Sequence, residues 1–377
     1  MAVTILVCGA FVAVAAAIQL SSILIILARG LFAPAPTAPA GHRPPVTVLR
    51  PVCGLENHLE RTLRSGFELH YPDYEIVFCV AVPHDPVVPL VERLIAAFPH
   101  VPARLIAGDD RISINPKLNN LVKGWEAAAH PWIIMADSNV LMPPDYIDRL
   151  LARWDERTGL VCSPPAGSEP EGFAAEVECS FLNAFQGRWQ LAADALGIGF
   201  AQGKTMLWRR DILDDAGGIR ALAAEAAEDA AGTKIVRSRG LRVRLVDQPF
   251  PQPLGRRRLA DVWRRQLRWA RLRRVSFKLF FLPEILAGGF FPILLCTGLA
   301  ATRQVPAFAP ILLAAGWYGA EAILVRAMGW PISWRAPFAW LVRDALLPWL
   351  WIAAVSGSGF TWRGNAMNLA AQGAGAD

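Results

Sequence analysis

The chain has 377 residues, enough for one large domain or two smaller ones, and 54% of them are hydrophobic, with 14 Trp. Its net charge of +6 is local: 256–278 carries ten basic residues and one acid, a net +9, so the rest of the chain is net −3. That distribution excludes a globally basic nucleic-acid binder, and six cysteines without a CxxC pair argue against a metal cluster or a disulfide framework.

Val3 to Ala28 carries no charge. At about 1.5 Å per residue it can span a bilayer core of roughly 30 Å. No Lys or Arg precedes it, whereas Arg29, Arg43 and Arg50 follow. Residues 1–29 therefore read as an uncleaved transmembrane anchor with the next domain in the cytoplasm. The alternative is a cleaved signal peptide, with Ala33-Pro34-Ala35 as a loose cleavage site. Residues 30–45 are rich in Pro and Ala and read as an extended linker.

From 46 to 255 strand and helix patterns alternate. Val46–Leu49, Tyr74–Val82 and Ala103–Ala107 read as strands, with helices near 56–68, 86–98 and 117–128. The apolar run Trp132–Ala136 is a fourth strand, buried on both faces, that delivers Asp137 to the sheet edge. In open α/β sheets that edge is where ligands bind. The order implies a parallel sheet with helices on both faces. A helix over 143–154, a strand at 160–163, a long amphipathic helix from Phe173 to Leu196, a strand at 203–208 and a short helix at 211–218 follow. A helix opened by Ala227-Glu228-Asp229 and a last strand at 241–246 complete the set. No GxGxxG and no GxxxxGK[ST] is present, so dinucleotide-binding and P-loop chemistry lack their fingerprints.

Several polar groups collect at strand ends and helix starts. Asp85, after the second strand, is a second carboxylate on the edge that holds Asp137, or an N-cap before Pro86. Asn115-Pro116-Lys117 opens a helix whose free N–H groups and Lys117 suit an anion, with Asn119 and Asn120 close by, or it is a solvated cap. Glu228 and Asp229 sit in a first turn, where acids also suit the helix dipole.

Leu259, Val262, Trp263, Leu267 and Ala270 recur at helical spacing within 256–278, a basic helix that reads as interfacial. The leucines and Trp263 are expected in the headgroup region. Arg265, Arg268 and Trp269 project from its other sides. Beyond it, 279–300, 307–327 and 338–356 are apolar but interrupted by Glu284, Glu321, Arg343 and Asp344. Such groups are expected to face a bundle interior or one another. The first segment reads as re-entrant or interfacial. The membrane segments run to 360, and 361–377 is a tail.

Asp85, Asp137, Asp229 and Arg265-Gln266-Leu267-Arg268-Trp269 resemble the D, D, D, (Q/R)xxRW signature of inverting glycosyltransferases. Leu49-Arg50-Pro51, Asp85-Pro86, Ala103-Arg104-Leu105, the 114–120 stretch, Asp137-Ser138 and Ala227-Glu228-Asp229 look specifically like the ceramide glucosyltransferase family. The resemblance implies an α/β catalytic domain of the GT-A type, a Rossmann-like nucleotide-sugar-binding fold, between an N-terminal transmembrane anchor and C-terminal membrane helices. It implies a multi-pass membrane protein, in the inner membrane if bacterial, that uses a UDP-sugar donor and a lipid acceptor such as ceramide. Asp229 would be the base, and Arg265, Arg268 and Trp269 would close over diphosphate and acceptor. Arg50, Pro51, Asp85, Lys117, Asn119, Asp137 and Glu228 would hold the nucleotide sugar. Asp137 and Asn139 would hold a divalent cation, Mg or Mn, although Asp137-Ser138-Asn139 lacks the second Asp of a DxD. Diacylglycerol or a hopanoid as acceptor, UDP-glucuronate or UDP-galactose as donor, and an inactive sugar-binding scaffold are the alternatives.

Overall fold

The computed structural model describes residues 2–32, 43–362 and 365–368. Most of the expected linker and most of the tail lie outside the described residues. The chain divides into two compact units. One gathers 33–166, 196–255 and 359–377, and the other 1–32, 167–195 and 256–358.

The first unit is built on a seven-stranded sheet. Its strands are β1 (Val46–Val52), β2 (Tyr74–Val80), β3 (Ala103–Ala107), β4 (Trp132–Ala136), β5 (Thr158–Ser163), β6 (Thr205–Arg209) and β7 (Arg242–Leu245). The spatial order is β3-β2-β1-β4-β6-β5-β7. Strands β1 to β4 pair in parallel, and β5 pairs with β7 in parallel. The parallel sheet expected from the first four strands is found, and beyond it β6 runs antiparallel to both β4 and β5. Parallel neighbours need a crossover connection, usually a helix, but a helix between two strands does not by itself make them parallel. β6 is slotted between β4 and β5 by long-range pairing that no local pattern encodes. Every residue of β2 is buried, as a strand covered on both faces requires. Ile76, Phe78 and Val80 join Val46, Val48, Leu63, Val91 and Ile134 in one apolar core.

Helix α1 (Pro116–Ala127) precedes β4 and helix α2 (Glu228–Ser238) precedes β7. Asn115 caps α1, its Oδ1 accepting from the N–H of Lys117 at 3.0 Å and of Leu118 at 3.3 Å, with Pro116 in the first turn. The starts of α1 and α2 and the end of β4 thus meet at one edge of the sheet.

The second unit is helical. The structure differs from the expected domain limits here, because 167–195 belongs to this unit and not to the sheet. The reason is packing: Val177, Phe181 and Phe185 of that segment form a buried cluster with Val262, Ala339, Leu347 and Leu350. The segment is helical from Phe173 to Ala195, with a π-helical stretch at Phe181–Gly187. Among the described residues three helical segments are long and apolar enough to cross a membrane: Val3–Gly30, Lys278–Ala301 and Ala336–Val355. The second is broken by a tight turn at Leu282–Leu286, and the part beyond it, Phe290–Ala301, is 12 residues long. The remaining apolar segment forms the helix Ala309–Ala327, which carries Glu321 and Arg326.

The basic stretch forms helix α3 (Leu259–Ser276). Its apolar face was expected in lipid headgroups, and this is corrected in part. Val262 and Ala270 are buried, and Trp263 and Leu267 pack on the cluster around Phe181 and Leu347. Leu259 stays 48% exposed, as do Leu279 and Phe280 just beyond the helix at 82% and 69%.

Candidate active site

Asp137 follows β4 directly, and its N–H donates to the carbonyl of Lys204 at 3.0 Å. That bond continues the antiparallel ladder in which Ala136 faces Thr205. Strand register therefore sets Lys204 beside Asp137. The Lys204 ammonium donates to Asp137 Oδ2 at 2.6 Å and to Asn139 Oδ1 at 3.1 Å. From the first turn of α1, the Lys117 ammonium lies 2.7 Å from Asp137 Oδ1 and 2.7 Å from Glu228 Oε1. Asn115 Nδ2 donates to the other Glu228 oxygen at 2.6 Å. Six polar side chains, from the end of β4, the start of β6 and the first turns of α1 and α2, are thereby cross-linked.

Burial works against the Asp137 charge, but the two ammonium groups override it and hold the carboxyl well below the usual range. Burial likewise opposes the Lys117 charge, and Asp137 and Glu228 keep it firmly protonated. Asp229 behaves in the opposite sense. Burial, then the neighbouring Glu228 carboxylate, push it up to about 7, against N–H donation from Gly203 at 3.0 Å and Ala230 at 2.8 Å. Gly203 is demanded by space: a Cβ there would stand 2.7 Å from Glu228 Oε1 and 3.3 Å from Lys117 Nζ.

The other expected site residues divide. Asp85 Oδ1 accepts from Gly54 N–H at 2.8 Å and Val87 N–H at 2.9 Å, joining the loops after β1 and β2. Pro51 lies near the end of β1. Arg50 is corrected: its side chain is wholly buried, and it donates to the carbonyls of Thr62, Asp137, Ser138 and Val140 at 2.8 to 3.1 Å. A guanidinium spent on backbone carbonyls shapes the loop after β4 and cannot meet a nucleotide. Burial lowers its pKa to about 10, so it stays charged at neutral pH. Asn119 is corrected similarly, since its amide exchanges two 2.9 Å bonds with the backbone of Ser113.

In the helical unit, Arg265 pairs with Glu178, a carboxylate buried to 1% exposure that also binds Arg257 Nε at 3.0 Å. The Arg265 guanidinium lies 4.7 Å from the Trp269 ring centre. Gln186 donates to Gln266 at 2.7 Å. Arg268 is half-buried on the same helix.

Mg2+ and Mn2+ bind hard oxygen ligands, and Mg2+ requires about six in near-octahedral geometry. Here both Asp137 oxygens and the Asn139 amide oxygen already accept from ammonium groups. Among the described residues no group of three His, Cys, Asp or Glu side chains is arranged to hold a metal ion. A divalent ion at a nucleotide-sugar site needs only one or two protein oxygens beside the donor's phosphates, but here Lys204 and Lys117 hold those oxygens, so the residues as placed do not fit a resident ion without displacing Lys204. The sequence reading missed Lys204 and Gly203, treating both as the start of a strand. A Gly-Lys pair opening a strand near an Asp-ended strand was the available signal, but it needs the pairing to be known.

The sequence matches Glycosyl transferase family 21 over residues 6–374. Ceramide glucosyltransferase 3 of Caenorhabditis elegans is 27% identical over 336 residues, covering 87% of this chain and 73% of the worm protein. Ceramide glucosyltransferase 1 of the same organism is 26% identical over 346 residues, 89% and 73% of the two chains. Ceramide glucosyltransferase of Komagataella phaffii is 42% identical over 99 residues, 25% of this chain and 19% of that one. Among solved structures, a mannosyltransferase from Pyrobaculum calidifontis in complex with GDP-Man and Mn2+ superimposes with a TM-score of 0.52 at 19% identity, covering 93% and 98%. That likeness supports the GT-A fold.

Proposed function

The chain belongs to glycosyl transferase family 21, and from that premise we propose that it moves glucose from UDP-glucose onto the primary hydroxyl of ceramide, with inversion, giving a β-glucosylceramide. The names of the worm relatives support the sugar and the acceptor. Three segments able to cross a membrane support an acceptor that stays in the bilayer. Charge asymmetry among three carboxylates carries the reading. Asp137 and Glu228 are tied to ammonium groups, while Asp229 accepts from backbone N–H groups, and burial and the Glu228 charge push its pKa up to about 7. A base poised near the working pH is what general-base catalysis needs.

In this reading Asp229 takes the acceptor's hydroxyl proton as the new C1–O bond forms and the bond from C1 to the diphosphate breaks. One base and no enzyme nucleophile imply a single displacement, so an α-linked donor gives a β-linked product. Pro51 and Asp85 are proposed to hold the uridine, with Asp137 acting on the diphosphate through the cation it holds and Glu228 fixing Lys117 beside it. Arg265, Arg268 and Trp269 are proposed to act on the diphosphate and the acceptor. Their motif, not their placement, supports that role. The sheet unit is proposed to be cytoplasmic, from the basic residues after the N-terminal segment.

The test is transfer by the purified chain in lipid–detergent mixtures. UDP-glucose, UDP-galactose and UDP-glucuronate are each offered with ceramide, diacylglycerol or a hopanoid. UDP release that rises on adding ceramide, with a hexosylceramide of β configuration by mass spectrometry and NMR, is expected. UDP release indifferent to every lipid, or no glycolipid from any donor, overturns the reading.

A further inference from the structure

We propose that Lys204 is the cation of the donor site: its ammonium occupies the position between Asp137 and Asn139 where a divalent ion would sit, and it neutralises the donor diphosphate together with Lys117. Turnover then requires no divalent metal. This rests on the proposed nucleotide-sugar transfer and deepens it.

The backbone supplies the first support. The Asp137 N–H to Lys204 carbonyl bond, in register with the Ala136–Thr205 pair, fixes Lys204 opposite Asp137 whatever its side chain does. The side chain then contacts both oxygens that the sequence offers to a metal, Asp137 Oδ2 at 2.6 Å and Asn139 Oδ1 at 3.1 Å. Lys117 takes the remaining Asp137 oxygen. The lysine side chains are 12% and 10% exposed and Asp137 is 22% exposed. The ammonium groups are thus partly dehydrated and held in place before a ligand arrives, which makes electrostatic stabilisation effective.

The neighbouring oxygens are committed as well. Glu228 accepts from Lys117 and Asn115, and Asp229 from Gly203 and Ala230. A divalent ion entering between Asp137 and Asn139 would meet two ammonium groups, Lys204 and Lys117, on the oxygens it needs, even with a donor's phosphates as its other ligands. Asn139, where a DxD sequence has its second Asp, fits this arrangement. A neutral amide suffices to hold a monovalent ammonium, whereas a second carboxylate would favour a divalent ion.

The chemistry needs no further reactant. The bond from C1 to the diphosphate oxygen breaks, the leaving oxygen keeps the electron pair, and Lys204 stabilises the anion without giving up a proton, with the Lys117 charge held close by Asp137, Glu228 and the Gly203 carbonyl. The acceptor proton goes to Asp229.

The full chain in lipid–detergent mixtures tests this with two readouts, transfer from UDP-glucose and calorimetric binding of UDP, each with excess EDTA and with added Mn2+. Wild-type transfer and UDP affinity are expected to be the same in both. Lys204→Met is expected to lose about 10²–10³-fold in transfer in EDTA, the scale of one removed electrostatic donor, and to weaken UDP binding. Lys204→Arg, which keeps the charge, is expected to remain resistant to EDTA. Wild-type protein that loses UDP binding in EDTA and regains it with Mn2+ overturns the proposal. So does a Lys204→Met protein, folded by its melting temperature, that binds UDP and transfers sugar like wild type. If no sugar reaches any lipid, the transfer reading fails, and UDP binding with and without Mn2+ still decides the role of Lys204.

Discussion

Two clusters of buried charge, one in each unit, are built to different ends. In the helical unit Arg343 donates to both Glu321 oxygens at 3.0 Å and to Asp344 at 2.8 Å. Asp344 also accepts from the Gly289 N–H at 2.7 Å and the Tyr318 hydroxyl at 3.0 Å, and Glu321 from Gln19 at 3.0 Å. Arg343, Glu321 and Asp344 are at most 2% exposed, and their bonds join four helical segments. This cluster is closed, and its ions face one another inside the helical unit, as charges in apolar segments are expected to do. The cluster around Asp137 pairs its carboxylates with lysines in place of an arginine, Asp137 keeps 22% exposure, and burial and Glu228 push Asp229 up to about 7. Closed ion pairs hold elements together. An open cluster with one carboxylate near neutrality can exchange a proton and admit an anion.

The contrast is broken first by removing the proton acceptor. Asp229→Asn keeps the shape but not the basicity, and transfer is expected to fall by about 10²–10⁴-fold. UDP binding by calorimetry and the melting temperature should stay near wild type. Retention of a tenth or more of the turnover would remove Asp229 as the base.

The converse change belongs in the closed cluster. Arg343→Met leaves Glu321 and Asp344 buried without their partner, and losing one partner of a buried pair costs about 3–5 kcal/mol. Thermal unfolding in detergent should show a large drop in midpoint. A mutant as stable as wild type would mean that this cluster, too, is loosely held.

The smallest effect comes from pH alone. The acceptor proton must go to a deprotonated carboxylate, so a group raised to about 7 makes the rate rise with pH up to that value. Below it, turnover should fall roughly tenfold per pH unit. Glu228→Gln removes one cause of the shift and should move the midpoint of the pH–rate profile downward. A wild-type profile flat through neutrality would contradict the assignment.

Much of this was readable in advance, for local reasons. An apolar run ending in Asp137 is a buried strand with a carboxylate at its tip, and Asn115-Pro116 is a helix start, because burial period and capping are encoded within a few residues. The uncharged 3–28 stretch reads as a long apolar helix on the same basis. Arg50 was assigned to the nucleotide because its neighbours Leu49 and Pro51 belong to a recognisable stretch. Its burial under the loop after β4 depends on Thr62 and Val140, which are distant in sequence.

The sequence by itself determined the alternation of strands and helices, the apolar segments and the acids at strand and helix ends, since each follows from periodicity and backbone preference over a short window. Tertiary structure alone decided that β6 runs antiparallel beside β4, that 167–195 joins the helical unit, and that Lys204 meets Asp137 and Asn139. Strand direction and register are fixed by which distant surfaces bury one another, and a one-residue slip would turn the strand's side chains to opposite faces. No window along the chain contains that information, so the cation of this site became visible only when the two strands were paired.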